Sequence, residues 1–375
     1  MDKTIFEMNN LNNIRRESDM IFKKKLNEKS KALEIFSAMV SGESLDRFGN
    51  EANVVTTGIK NLAESALYGD VRAKMELNQF QKQLVAPQLT KMVNLFSFMG
   101  KFKDIPYDAQ PIIETYKHEA IRSNFQAAHG DVNFPTVRKE EYPISTQTIS
   151  AGYAVDYREI ASGNLDRVSE GMEQVKIDMM NKATAYVVMT MYDRIKNATG
   201  VKCFAETEGI VKSAVDDAIA NYRKYGTGTS LLGDYSVVSQ INAIAGQDFM
   251  GNKTSNLLPE SVMEEIRKKG VLSYYNSCSV VELPNQYNFS QLTPDGKNFA
   301  TYMPEGLLYI IPQGMASPLQ IFRRGGLTSL TGTDITTGTE ITRFDMEIGA
   351  DVARGQEHRI GIIRDKNFDK TLLGK

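Results

Sequence analysis

Between Leu165 and Asn197 apolar residues return again and again to one helical face, at Val168, Met172, Val175, Met179, Ala183, Tyr186, Val187, Met191 and Ile195. The spacing has the α-helical period and no proline interrupts it. Gly171 is the only weak interior position, Asn164 fits an N-cap, and Gly200 fits a stop. At about 1.5 Å per residue, one helix over this stretch is on the order of 50 Å long, well beyond the globular average. Such a helix serves either the core of a large α+β domain or the length of an elongated subunit. The elements on either side decide between them.

Upstream, residues 1 to about 80 read as helices. Ile14, Phe22, Leu26, Leu33, Ile35 and Phe36 are spaced for an amphipathic face within Ile5–Met39. Further helices are expected at Ile59–Leu67 and Val71–Leu84. The run Lys23, Lys24, Lys25 is balanced by Asp19, Glu28 and Glu34, as on a solvated helix face. From Gln88 to Ile113 a dense apolar cluster (Leu89, Met92, Val93, Leu95, Phe96, Phe98, Met99) is followed by Gly100, Pro106 and Pro111. That pattern predicts an arm that packs and then turns extended.

Residues 114 to 160 predict a long β-hairpin. Ile121 and Phe125 precede a turn signal at His129, Gly130 and Asp131, and Phe134 and Val137 follow it. Beyond them Tyr142, Ile144, Thr146 and Thr148 alternate with Pro143, Ser145 and Gln147, the period of a strand. A two-stranded hairpin of that length is marginal alone and needs a surface to lie on. The expectation is an intersubunit arm.

After the long helix, Cys203–Glu208 reads as a loop and Val211–Tyr225 as a helix burying Val215, Ile219 and Tyr222. Leu231–Ile244 opens as a strand or short helix. Pro259–Lys269 has proline in its first turn and Gly270 as a stop. Ser279–Pro284 and Gly306–Pro312 read as strands. Thr331 to Thr339 reads as a Gly/Thr-rich loop, and Ile341, Phe344, Met346 and Ile348 lead a β return toward Arg364.

Composition closes several functional classes. A net charge of −2 with a pI near 6.1 lacks the basic excess of a dedicated nucleic-acid reader, though not of a protein that merely encloses nucleic acid. Two cysteines, Cys203 and Cys278, are too few for a disulfide scaffold or a cysteine zinc site. No apolar run reaches membrane-span length, and asparagines and arginines interrupt any signal-peptide core, so synthesis and folding inside the cell are expected.

Catalytic signatures are equally thin. His118, His129 and His358 stand in unrelated contexts, without metal-ligand spacing or a GxSxG elbow. Gly226–Ser230 lacks the GK[ST] ending of a phosphate loop and follows a helix. Arg323, Arg324, Gly325 and Gly326 read as a subunit contact or solvated turn. Asp216–Asp217 and Glu264–Glu265 are adjacent pairs on helices and point apart, as on solvent faces. Cys203 has no neighbour in sequence to activate it. No catalytic residue, cofactor or metal is expected.

The order of these elements resembles the major capsid proteins of tailed bacteriophages with the HK97 fold. Asp131 to Val137 resembles the descending part of that family's E-loop, and Tyr142 with Asp156–Ile160 resembles the entry to its spine helix. Lys196–Gly200 with Gly209 and Ile210 resembles the exit into its A-domain. Phe344–Arg354 and the strand to Arg364 resemble its P-domain return. The fold class implied is α+β, HK97-like. Its parts are an N-terminal helical arm at 1–87, a lead-in at 88–113, an E-loop at 114–160 and a spine helix at 161–204. An A-domain at 205–330 and a P-domain β return at 331–375 complete it.

The function implied is a head protein forming hexamers and pentamers that close an icosahedral shell around double-stranded DNA, without reading its sequence. Its location would be the virion, assembled in the bacterial cytoplasm. Scaffold, portal and decoration proteins would be partners, and no membrane. The E-loop tip (His129, Gly130, Asp131, Phe134) would touch a neighbouring subunit, and Thr333, Asp334 and Thr337 would sit near local threefold contacts. Some family members cross-link the E-loop through lysine. Lys117 and Lys139 are present but match no cross-linking position, so no isopeptide is predicted. Two alternatives stay open: an encapsulin-type compartment shell, and a soluble intracellular enzyme with a nonlocal active site.

Overall fold

A computed structural model describes residues 34, 35, 38, 45–67, 70–76, 94–118, 137–155, 166–198, 203–225, 228–245, 260–293, 296–313, 317–334 and 339–368. The chain divides into two compact units. One comprises Met1–Leu89, Ser150–Ile177 and Leu327–Asp345, and the other Thr90–Ile149, Asp178–Gly326 and Met346–Lys375. The expected long helix is present as α2, Asp166–Lys196, preceded by α1 at Asn50–Leu67. Short helical stretches lie at 71–76 and 94–99. The expected stop for α2 at Gly200 and its cap at Asn164 lie outside the described residues, as do nearly all of Ile5–Met39 and 77–84.

In the first unit, α2 buries Met172 and Val175. Gly171 is where the ring of Tyr153 lies against the helix, and a Cβ there would meet the ring at 3.2 Å. Its weakness as a helix former is the cost of admitting that ring. Tyr153 stacks in turn on Phe344, ring centroids 6.3 Å apart. Tyr153 lies on β4 (Gln147–Val155) and Phe344 on β13 (Thr339–Val352), which follows β12 (Leu319–Asp334). With β1 (Lys101–Ile105), these strands form a sheet of order β1-β12-β13-β4. Two expectations change here. Residues Thr331–Asp334 are strand, not loop, because β13 returns alongside and β-branched threonine suits a paired, pleated backbone. The alternating residues after Gln147 pair with β13 and are not the second arm of the hairpin.

The second unit is built on a mixed six-stranded sheet. Its strands are β5 (Phe204–Thr207), β6 (Thr229–Gly233), β7 (Tyr274–Tyr275), β8 (Cys278–Glu282), β11 (Leu307–Pro312) and β14 (Gly361–Asp365). The order is β5-β14-β11-β6-β8-β7, with β6/β8 and β5/β14 parallel and the other pairs antiparallel. Every residue of β6, β11 and β14 is buried, which explains the unbroken apolar run of β11. Three helices, α3 (Lys212–Arg223), α4 (Tyr235–Ala245) and α5 (Glu260–Lys269), supply the rest of the core. As expected, Val215, Ile219 and Tyr222 are the buried residues of α3. Gly270 ends α5 with a φ of +75°, a conformation open to glycine. Cys203–Glu208 is not wholly loop: β5 gains its hydrogen bonds from β14, a partner far along the chain. In the same unit α2 buries Met179, Ala183, Val187, Met191 and Ile195.

Two smaller ribbons belong to the second unit as well. Strand β2 (Ile112–His118) pairs antiparallel with β3 (Val137–Pro143), from Ile112↔Pro143 to His118↔Val137. Strand β9 (Tyr287–Leu292) pairs antiparallel with β10 (Phe299–Thr301).

Candidate functional site

The polar residues singled out from sequence are spent on structure wherever they are described. Arg323 and Arg324 lie inside β12, not in a turn. Arg323 clasps Asp104 with Nε and Nη2 at 2.7 and 2.9 Å, and Arg324 Nε donates to the Tyr107 carbonyl at 2.9 Å. The glycine after them has φ +66°, and the Tyr107 ring occupies the place a Cβ would take. Asp216 is not on an idle solvent face: it accepts from the Tyr275 hydroxyl and the Asn276 amide, each at 2.7 Å, and pairs with Lys212 at 3.1 Å.

Cys203 and Cys278 are buried and in no disulfide. Burial pushes the Cys203 thiol up, against the pull of its hydrogen bond with Tyr222, so it stays protonated at neutral pH. His358 lies on a short 3-10 turn with its ring 5.2 Å from that of Tyr225. Both rings, with Cys203 and Tyr222, line a cavity of about 590 Å³. Among the described residues, no group of three or more His, Cys, Asp or Glu is placed to hold a metal.

The most organised surface element is the β2–β3 hairpin. Its inner face is fixed at the root: Ile113 is wholly buried and packs with Phe322 and Ala353. Tyr142 donates its hydroxyl to the Val352 carbonyl at 3.3 Å and accepts from the Arg354 N–H at 3.1 Å, while the Arg354 guanidinium lies 4.3 Å over its ring. The outer face is charged. Lys139 reaches Glu114 across the ladder at 3.2 Å and also pairs with Glu141. Those hydrogen bonds, Glu141 first and then Glu114, hold its amine well above the ordinary lysine range.

Of the contact residues expected from sequence, His129, Gly130, Asp131 and Phe134 lie beyond the described part of the hairpin. Thr333 and Asp334 are backbone members of β12, and Thr337 lies outside the described residues. Of these two groups, the structure describes Thr333 and Asp334 alone. It adds one feature that the sequence reading missed, the β9–β10 ribbon. The run Thr293, Pro294, Asp295, Gly296, Lys297 is a turn signature between aromatic residues and marks it.

These features define a mixed α+β chain whose second unit carries two two-stranded ribbons, one of them packed at its root by Ile113. A family model described as "SPbeta prophage-derived putative capsid protein YonB" matches residues 7–364. The chain belongs to this family, and it is a capsid protein. No curated protein matches it. Among solved structures it is similar to the capsid of cyanophage P-SCSP1u, at 10% identity and TM-score 0.47, covering 71% of this chain and 86% of that one. It is also similar to the capsid of Helicobacter pylori bacteriophage KHP30, at 11% identity and TM-score 0.45 over 70% and 87% of the two chains. A structure from Mycobacterium phage Patience matches at 12% identity and TM-score 0.45, over 77% and 88%.

Proposed function

We propose that the chain is the major capsid protein of a tailed phage or prophage, with the HK97 fold, and that it has no enzymatic activity. Copies assemble as hexamers and pentamers into an icosahedral shell in the bacterial cytoplasm and enclose double-stranded DNA. The β2–β3 hairpin, with residues 119–136 between its strands, acts as the E-loop, α2 as the spine of the P-domain, and the six-stranded sheet as the centre of the A-domain. Beyond the capsid family itself, the observation that carries this reading is the β2–β3 hairpin. Seven register pairs run from a root buried by Ile113 to residues 119–136, while the outer face is left polar. A two-stranded element so built gains little by folding onto its own chain and is suited to lie on a neighbour. In this reading His129, Gly130, Asp131 and Phe134 touch the next subunit, and Thr333, Asp334 and Thr337 approach a local threefold. A near-neutral chain fits a shell that encloses DNA without reading it. Scaffold, portal and decoration proteins complete the partners.

Size exclusion with light scattering, then electron microscopy of the largest species, tests the proposal. Closed particles or six- and fivefold rings are expected, from the chain alone or co-expressed with neighbouring genes. A monomer or dimer under both conditions overturns it. Particles filled with a cargo enzyme in place of DNA replace it with a compartment shell.

A further inference from the structure

The geometry points to a small-molecule site between α3 and the β5–β14 edge of the six-stranded sheet, shaped for a neutral, flat aromatic molecule. All of its residues belong to the second unit, and it does not depend on assembly. The cavity beside Cys203 measures about 590 Å³, within the roughly 300–1,000 Å³ typical of ligand pockets. Small residues create the space. Ala214, Ala218, Tyr222 and Tyr225 follow one another at steps of three or four, and they line the cavity from α3 and the turn after it. Where a leucine stripe would close helix onto sheet, this face carries two alanines. Opposite them Gly361 has no side chain, and Ile310, Ile362 and Ile363 supply apolar surface.

Three rings select the guest. The Tyr222 and Tyr225 centroids are 6.2 Å apart with the rings tilted by 39°, and those of Tyr225 and His358 are 5.2 Å apart with a tilt of 53°. Rings set at such angles form a curved aromatic wall. A flat ring lying against it gains edge and face contacts beyond the area it buries. The same flatness suits a gap between a helix and a sheet.

The polar groups argue for a neutral guest. At depth stand the Cys203 thiol and the Tyr222 hydroxyl, both buried and hydrogen-bonded to each other. Burial pushes both up, so they carry no charge at physiological pH and offer an ion no counter-charge. Asp217 and Lys224 are exposed and of opposite sign, and the Lys224 amine donates to Asn221 Oδ1 at 3.2 Å. An ion entering the cavity would give up its hydration against apolar walls without compensation, a cost that a neutral aromatic molecule does not bear. A dry apolar hollow of this kind is filled favourably by such a molecule.

The test titrates the full chain, assembled or not, with naphthol. The chain has no tryptophan, so the emission of the probe is read without overlap. Saturable binding is expected with a Kd on the order of 100 µM, in keeping with a ligand of that size. Naphthoate and naphthylmethylammonium, which add a charge of either sign, are expected to bind roughly tenfold more weakly or worse. Decalol, the saturated alcohol of the same outline, is expected to bind about fivefold more weakly. Ala218→Leu and, separately, Ala214→Leu place a larger side chain in the cavity. Each is expected to keep a cooperative melt and to lose roughly tenfold in naphthol affinity. Should neither leucine variant fold, Tyr225→Ser at its 40% exposed position decides, with binding expected to weaken about fivefold. Absence of saturable binding overturns the proposal, as does binding that the folded variants leave unchanged. Equal affinity for either ion or for decalol also overturns it. The shell reading survives each of these results, since it stands or falls on the particles.

Discussion

Arg194 near the end of α2 grips Asp351 near the end of β13 with both arms of its guanidinium, Nε to Oδ1 and Nη2 to Oδ2, each at 2.7 Å. The Asp351 side chain is only 7% exposed, and its Oδ1 also accepts from the Val352 N–H at 2.8 Å. Removing the guanidinium leaves a buried carboxylate with one backbone donor. Arg194→Ala is expected to cost about 2 kcal/mol in a denaturant melt. Arg194→Lys should recover only part of that, since an ammonium does not hold two oxygens in a fork. An unchanged melt for Arg194→Ala would show the pair to be idle.

The hairpin gives a prediction about assembly and not about folding. Its root is held by Ile113 and by Tyr142, well away from the tip. Deleting residues 126–136 is expected to leave the melting transition of the subunit in place and to abolish closed particles in electron micrographs. Normal particles from the deletion would remove the E-loop assignment.

Asp234 ties stability to pH. It precedes α4, its carbonyl accepting from the Val237 and Val238 N–H groups at 3.1 and 3.0 Å, and its Oδ2 accepts from the Ser236 hydroxyl at 2.5 Å. Among the described residues its Oδ1 is buried without a hydrogen-bond partner. Burial raises this carboxyl from its ordinary 3.8, despite the opposing hydrogen bonds. The folded state therefore binds the proton more tightly than the unfolded chain does. Its stabilising contribution is complete below the ordinary carboxylate range and is lost as pH rises through the folded value. Asp234→Asn should raise the melting temperature at neutral pH and flatten that limb of the profile. A variant whose pH profile parallels the native one would refute the linkage.

Gly361 opens β14 beneath the ring of Tyr222. A Cβ at this position would stand 2.4 Å from Tyr222 Cε2, in a fully buried strand. Gly361→Ala is expected to destabilise the chain by roughly 3 kcal/mol through overpacking. Gly326→Ala, with no described residue within 4 Å of its Cβ, is the control and should change the melt little. Equal melts for the two would show that the ring simply moves aside.

What the sequence disclosed followed from periodicity that needs no partner to be visible. The stripe of α2, the Val215, Ile219, Tyr222 face of α3, and the apolar run Leu307–Ile311 all announce their burial locally. What it hid depends on distant pairing. Strand β5 exists because Phe204 lies beside Ile362, and Thr331–Asp334 is extended because β13 runs back along it. Arg323 looked like a solvent turn only until Asp104, more than two hundred residues away, was placed against it. The β9–β10 ribbon was legible in Pro294, Asp295 and Gly296, but its short strands alternate too briefly to stand out. Contact residues are the hardest to read, because the groups that would satisfy them belong to another chain.

The burial of both cysteines has a practical side. Cys203 lies within the apolar wall beside Tyr222, and Cys278 is 1% exposed with its sulfur 3.0 Å from the Thr229 hydroxyl. Thiol reagents meet no ready target at either position while the chain is folded. A cysteine introduced on an outward face is then the one addressable sulfur per subunit. A dye, a metal particle or a peptide attached there would repeat at the spacing of the assembly itself, so the lattice could be read out, or decorated, through a single atom.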